Sequence, residues 1–223
     1  MRKAGDLIAE YMREKVLAEN RQNPIGRGAY GTVYASDVPG NVIKQMERPQ
    51  SNSLDNATLL TEASNQATAA ELGIAPRVAA VETFPGGVGN RIEMADIRNN
   101  FEEHAGDDLG FPVGRDAVRL NQQLGQLALK GVAVEDRHAG NVFYNKMTGR
   151  PMQIDFGQSY NLFGDGGKAY GLAEATANGF EAAGMKDIAD IYRATVMDLL
   201  EGGQDKEAYD VARQGFSRLQ KIK

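Results

Sequence analysis

The sequence predicts an α+β fold, with a five-stranded antiparallel sheet and one helix in the N-terminal part and a mostly helical C-terminal part. Between Ile25 and Ile97, short runs rich in β-branched and aromatic residues alternate with turns built from Gly, Pro and Asn, the pattern of locally joined strands. One helical pattern, Ala57 to Leu72, interrupts them. From Asp116 onward apolar residues recur at helical spacing, apart from two short strand-like runs near Val142 and Met152.

Size and composition narrow the class. The 223 residues, 42% hydrophobic and 25% charged, suffice for one substantial core or two small lobes. No apolar run approaches the length of a membrane span, and MRKAGDLIAEYMREK lacks the uninterrupted apolar segment of a cleaved signal, so no membrane partner is expected. The absence of cysteine excludes a disulfide framework and a thiolate metal site, and fits a reducing, cytoplasmic compartment. A net charge of -5 argues against nucleic acid as the main partner. The oligomeric state cannot be read from the sequence.

In residues 1–24, Leu7, Ile8, Tyr11, Met12, Val16 and Leu17 form an apolar stripe over Asp6 to Glu19. This is an amphipathic helix expected to dock on the following domain, with partner binding as the rarer alternative; Asn23 and Pro24 end it. Ile25 to Tyr34 then has the form G-x-G-x-x-G-x-V, with Gly26, Gly28, Gly31 and Val33 at the fixed positions. A dinucleotide fingerprint would open a helix here, whereas Thr32-Val33-Tyr34-Ala35 continues as a strand. The glycines therefore suit a hairpin whose backbone N–H groups can approach phosphates, or an ordinary Gly-rich hairpin.

After the turn Pro39-Gly40-Asn41, Lys44 stands among apolar residues in the strand Val42 to Met46. The helix Ala57 to Leu72 has Asp55 or Asn56 as N-cap and Gly73 as its stop. Glu62 in its first half is the candidate partner of Lys44, with Glu71 as a less suitably placed rival. Arg77 to Thr83 and Asn90 to Ile97 read as paired strands, and Met94, Ala95 and Asp96 mark the exit from the sheet. Asn99 to Gly114 is polar and irregular. Its Glu102, Glu103, Asp107 and Asp108 are either a solvated surface or an attractor for a cationic substrate.

Asp116 to Lys130 is a core helix stopped by Gly131. Asp136 then precedes Asn141, the runs Val142 to Tyr144 and Met152 to Ile154 flank the turn Asn145 to Gly149, and the second run leads into Asp155-Phe156-Gly157. Such a hairpin brings Asn141 near Asp155. Phosphoryl transfer needs a carboxylate beside the attacking hydroxyl and oxygen ligands for Mg2+. Asp136 suits the first role, and Asn141 with Asp155 the second. Ser159 to Gly171 is Gly-rich and reads as a mobile segment, which makes Ser159, Tyr160 and Tyr170 candidate self-phosphorylation sites. Helices follow near Leu172 to Ala183, Asp187 to Glu201 and Lys206 to Lys221.

Taken in order, the Gly-rich hairpin, the strand lysine, the helix glutamate, D-x-x-x-x-N and Asp-Phe-Gly resemble the protein-kinase-like superfamily over about Ile25 to Gly157. The resemblance implies a bilobal protein-kinase-like fold with a five-stranded N-lobe over residues 25–97 and a truncated, mostly helical C-lobe over 98–223. It implies ATP and Mg2+ as cofactors, Lys44 on the nucleotide phosphates with Glu62 as its ion-pair partner, Asp136 as catalytic base, and Asn141 and Asp155 as metal ligands. The flap residues Gly26, Gly28, Gly31 and Val33, together with the hinge residues Met94, Ala95 and Asp96, would meet the nucleotide.

The departures narrow the resemblance. Val134 and Glu135 stand where ordinary protein kinases carry His-Arg, so control by a phosphorylated activation loop is not expected. Asp136 to Asn141 is similar to the D-x-H-x-G-N loop of aminoglycoside and lipopolysaccharide kinases, where His138 would make a structural hydrogen bond or meet phosphate or substrate. No A-P-E follows, and only Gln158 to Lys223 remains for the lower lobe. The chain thus resembles minimal bacterial or phage kinases, including type III secreted effectors. That implies transfer to a Ser, Thr or Tyr hydroxyl of a protein, host proteins among the candidates, in the cytoplasm or after passage into a host cell without a cleaved signal. The alternatives are a small-molecule (aminoglycoside- or sugar-type) kinase and a non-catalytic kinase-fold binding module.

Overall fold

In the computed structural model, residues 4–27, 31–47, 56–85, 87, 89–103, 114–136 and 139–223 are described. Gly28, the N-cap candidate Asp55, Asp107, Asp108 and His138 lie outside them. The chain divides into two compact units. The first comprises residues 1–63 and 76–97, and the second residues 64–75 and 98–223.

The first unit is built on an antiparallel sheet in the order β1-β2-β3-β5-β4. Its strands are β1 (Gly26–Arg27), β2 (Gly31–Ala35), β3 (Asn41–Met46), β4 (Val78–Glu82) and β5 (Arg91–Ala95). Strand β3 is central and buried along almost its whole length, which accounts for its apolar run around one lysine. One face of the sheet packs Met46 and Ile92 against Leu59 and Ala63 of helix α2 (Asn56–Glu71). The opposite face sets Tyr34 and Ile43 against Leu17 of helix α1 (Ala4–Gln22).

Helix α1 docks differently from the expectation. Leu17 is 2% exposed, but the stripe of Leu7, Ile8, Tyr11, Met12 and Val16 faces solvent, with Ile8 64% and Tyr11 69% exposed. The helix is held instead by its polar side. Arg13 donates to Asp37, Glu82 and Glu93, Arg91 donates to both carboxylate oxygens of Glu14 at 2.8 Å, and Asn20 donates to the Ala35 carbonyl at 3.0 Å. Ion pairs and one leucine hold it, and the apolar stripe does not.

The second unit contains the end of α2, the strands β6 (Phe101–Glu103), β7 (Val132–Val134), β8 (Val142–Asn145), β9 (Pro151–Gln153) and β10 (Ser159–Asn161), and helices α3 (Gly114–Leu129), α4 (Gly164–Ala182), α5 (Lys186–Glu201) and α6 (Asp205–Leu219). Strands β8 and β9 form the expected hairpin, with Val142 opposite Gln153. Its turn is closed by Asn145, whose side-chain oxygen accepts the amides of Met147 and Thr148. Strand β6 adds to β8, placing Glu102 opposite Tyr144 within the stretch read as irregular. A three-residue strand at the edge of a polar stretch leaves almost no periodic signal.

The Gly-rich segment after Asp155 is a correction. Ser159 to Asn161 pairs with β7, and the helix begins at Gly164 rather than near Leu172. The glycines serve close packing. A Cβ at Gly166 would meet the Asp205 carboxylate, and one at Gly171 would press into Leu162. Likewise Gly125 of α3 admits the ring of Phe216, Gly179 of α4 admits Leu219, and Gly215 of α6 admits the ring of Tyr192. The argument from mobility for phosphorylation of Ser159 and Tyr160 falls with it.

Candidate functional site

Within the first unit, register collects the residues proposed to meet nucleotide. Lys44 pairs with Val33 on β2 and with Ile92 on β5, while Val42 pairs with Met94, so all of these project to the face covered by α2. The Lys44 ammonium donates to the Glu62 carboxylate at 2.6 Å, with Lys44 9% and Glu62 3% exposed. Glu71, the rival, lies at the end of α2.

The glycines of the hairpin have unequal reasons to be glycine. A Cβ on Gly31 would run into the carbonyl of Gln45, so the sheet itself requires that residue. A Cβ on Gly26 would meet no atom of the described residues within 4 Å, so packing among them does not demand glycine there. The exit strand has committed some of its donors: the Ala95 amide donates to Arg77 at 2.9 Å and the Asp96 amide to Gly40 at 2.8 Å. A base bound at Met94 to Asp96 would therefore use carbonyls there, or donors farther along the chain.

Within the second unit the other candidates are tied together. The short 3-10 turn Ala139–Asn141 leads into β8. The Asn141 side-chain amide donates to the Asp136 carbonyl at 3.4 Å, and the Asn141 carbonyl accepts the Ile154 amide at 2.8 Å. The hairpin thus brings Asn141 beside Ile154, the residue that precedes Asp155. Because the Asn141 nitrogen is turned to Asp136, its Oδ1 is the atom presented elsewhere.

Asp155 has φ 59, and it is the one non-glycine residue in the left-handed region among the described residues. Its carboxylate accepts the Gly157 amide at 3.1 Å, which holds this backbone in place. Phe156 anchors the segment from below, fully buried beside Leu127, Val134 and Val142. A left-handed aspartate is uncommon and persists where its surroundings impose it.

Two polar positions escaped sequence reasoning. Asn65, one turn beyond Glu62 on α2, donates to the Ser159 hydroxyl at 3.0 Å, and that hydroxyl donates to the Phe156 carbonyl at 2.6 Å. Glu62, Asn65 and Gln66 are all buried, a polar stripe at helical spacing that the sequence does display. Gln153 is the other, its side chain donating to the carbonyls of Asp136 and Ile154.

Asn141 and Asp155 supply an amide and a carboxylate oxygen, the hard donors that suit Mg2+ completed by phosphate and water. No group of three or more His, Cys, Asp or Glu among the described residues could hold a metal alone, and this two-ligand arrangement would not form one. No protein-family model matches the chain, and no curated protein matches it. No helix among the described residues is long and apolar enough to cross a membrane.

Proposed function

We propose that the chain is a Mg-ATP-dependent phosphotransferase of the bilobal protein-kinase-like type, transferring phosphate to a Ser, Thr or Tyr hydroxyl of a protein. The observation that carries the reading is the buried Lys44–Glu62 pair. Removing two charges from water is costly, and apolar residues of similar size would stabilise a core at least as well. A lysine fixed by such a partner presents a positive charge at a set position, as phosphate binding requires.

The second unit supports the same reading. Asp136 would accept the proton of the attacking hydroxyl, while Asn141 and Asp155 would hold the metal through Oδ1 and a carboxylate oxygen. Mg-ATP, when bound, supplies the phosphoryl group and the charge that neutralises its oxygens. A protein acceptor is favoured over a small molecule because α4, α5 and α6 are accounted for by packing on α3 and on one another. Among the described residues no inserted element remains to form a small-molecule site.

Thermal melting with ATP tests the binding half of the proposal. ATP with Mg2+ should raise the melting temperature of the wild-type chain, by about 2.7 kcal/mol of added stability at a hundredfold excess over Kd. Asp155→Ala should lose the Mg2+ dependence of that shift. Gly26→Ala should weaken the shift while leaving the unliganded melt unchanged, since its Cβ meets no atom of the described residues. No shift of the wild type by Mg-ATP would sink the proposal.

A further inference from the structure

Gln153 ends β9 two residues before Asp155 and is fully buried. Its Nε2 donates to the Asp136 carbonyl at 3.0 Å and to the Ile154 carbonyl at 2.8 Å, so both amide hydrogens are used. Oε1 meets no donor among the described residues. Turning the amide over would set that oxygen against two carbonyl oxygens, so the partners themselves fix its orientation. The backbone is equally constrained, because the Gln153 amide donates to Ile74 at 2.7 Å and the residue pairs with Val142.

A buried amide with an orphaned oxygen weakens a core that methionine or leucine could fill. Its presence here is explained by what it joins. One end of the bridge is the carbonyl of the candidate base, and the other is the peptide leading into the left-handed Asp155. The Asn141 amide reaches the same Asp136 carbonyl at 3.4 Å, so Gln153 makes the shorter of these two contacts.

We propose that Gln153 is a positioning residue that fixes Asp136 relative to Asp155 through the paired carbonyls it holds. This rests on the phosphotransferase reading for its consequence, but not for the tether itself. Without the amide, the Asp136 carbonyl keeps only the longer contact to Asn141 of these two, and the start of the 136–141 segment loosens. A displacement of about 1 Å costs roughly a hundredfold in rate, and it should appear in kcat. ATP affinity should be spared, because Lys44 lies on a separate element.

The test compares the full chain with Gln153→Met, which keeps the volume and removes both donors. Without ligand, amide exchange at Asp136 and across Ala139 to Val142 should accelerate about tenfold or more while α4 to α6 keep their protection. With Mg-ATP and a panel of protein acceptors, kcat for ADP release should fall about a hundredfold with KM for ATP changed less than about threefold. Unchanged exchange in that segment, or a fall expressed only in KM, overturns the proposal. If the wild type releases no ADP, the phosphotransferase reading fails while the exchange measurement still decides the tether.

Should Gln153→Met fail to fold, Gln153→Glu replaces it. This variant withdraws at least one of the two donated hydrogens without changing the volume, so exchange at Asp136 and across Ala139 to Val142 should still accelerate while α4 to α6 keep their protection. Unchanged exchange there would overturn the proposal.

Discussion

Lys44 and Glu62 meet at 2.6 Å with little of either in contact with water, and that burial dictates how the pair responds to mutation. Replacing one partner leaves the other charge buried without this ion pair, so Lys44→Met should lose about 3–5 kcal/mol in urea unfolding. The double variant Lys44→Met with Glu62→Leu should recover most of that loss yet bind Mg-ATP no better than the single one. Asp155 makes the complementary case. Its φ of 59 suits glycine, which offsets the lost bond from the Gly157 amide, so Asp155→Gly should change stability by no more than about 1 kcal/mol while eliminating Mg-dependent turnover. A melting curve and an ADP-release assay on the same sample check both halves. The five candidates Lys44, Glu62, Asp136, Asn141 and Asp155 could be picked out because the proposed phosphate and metal chemistry would call for these residue types in this order, and the structure pairs Lys44 with Glu62 and Asn141 with the Asp136 carbonyl. Gln153 was not, because its role depends on reaching the Asp136 carbonyl across a hairpin, which no local pattern encodes.

At the scale of elements, the second unit turns on glycines that sequence reading treats as breakers. Gly215→Ala should gain about 1 kcal/mol of helix propensity, but its Cβ would enter the ring of Tyr192, and overpacking of this kind costs about 1–3 kcal/mol. That ring cannot slide freely, since its hydroxyl donates to the Ala212 carbonyl at 2.9 Å. A net loss of stability is therefore expected from chemical denaturation. The same misreading made Ser159 to Gly171 look mobile, when Gly166 and Gly171 are small because other chain segments press on them. Helix α1 was legible as a helix and misread in its docking, because hydrophobic periodicity does not report the ion pairs of Arg13 and Arg91. The hydrogen bond from Arg91 holds the Glu14 carboxyl below its ordinary pKa. A depressed carboxyl contributes stability above its unfolded pKa and loses it as pH falls through the folded value. Acidification below about pH 4 should therefore deprotect the amides of α1 before those of α3 to α6, as followed by hydrogen exchange. The individual pairs are partly exposed, so high salt should act in the same direction.

Across the whole molecule, each unit carries its own candidate residues for the proposed chemistry. The first holds a fixed lysine, and the second holds Asp136, Asn141 and the left-handed Asp155 on the segments that flank one hairpin. The α+β class and the five-stranded sheet were readable from strand runs and turns, since each strand has a sheet neighbour next to it in sequence and the β3–β5 pairing spans helix α2 and strand β4. The short strands β6, β7 and β10 were not, because three-residue strands in mixed surroundings fall below any periodic signal. The central claim, that this chain moves phosphate from ATP to a hydroxyl, is tested most directly by intact mass after incubation with Mg-ATP and a panel of protein acceptors, with Asp136→Asn and Asp155→Ala alongside. The account predicts added phosphate on the wild type or an acceptor and none with either variant. Phosphate added equally by the wild type and Asp136→Asn, or by none of the three, would contradict it.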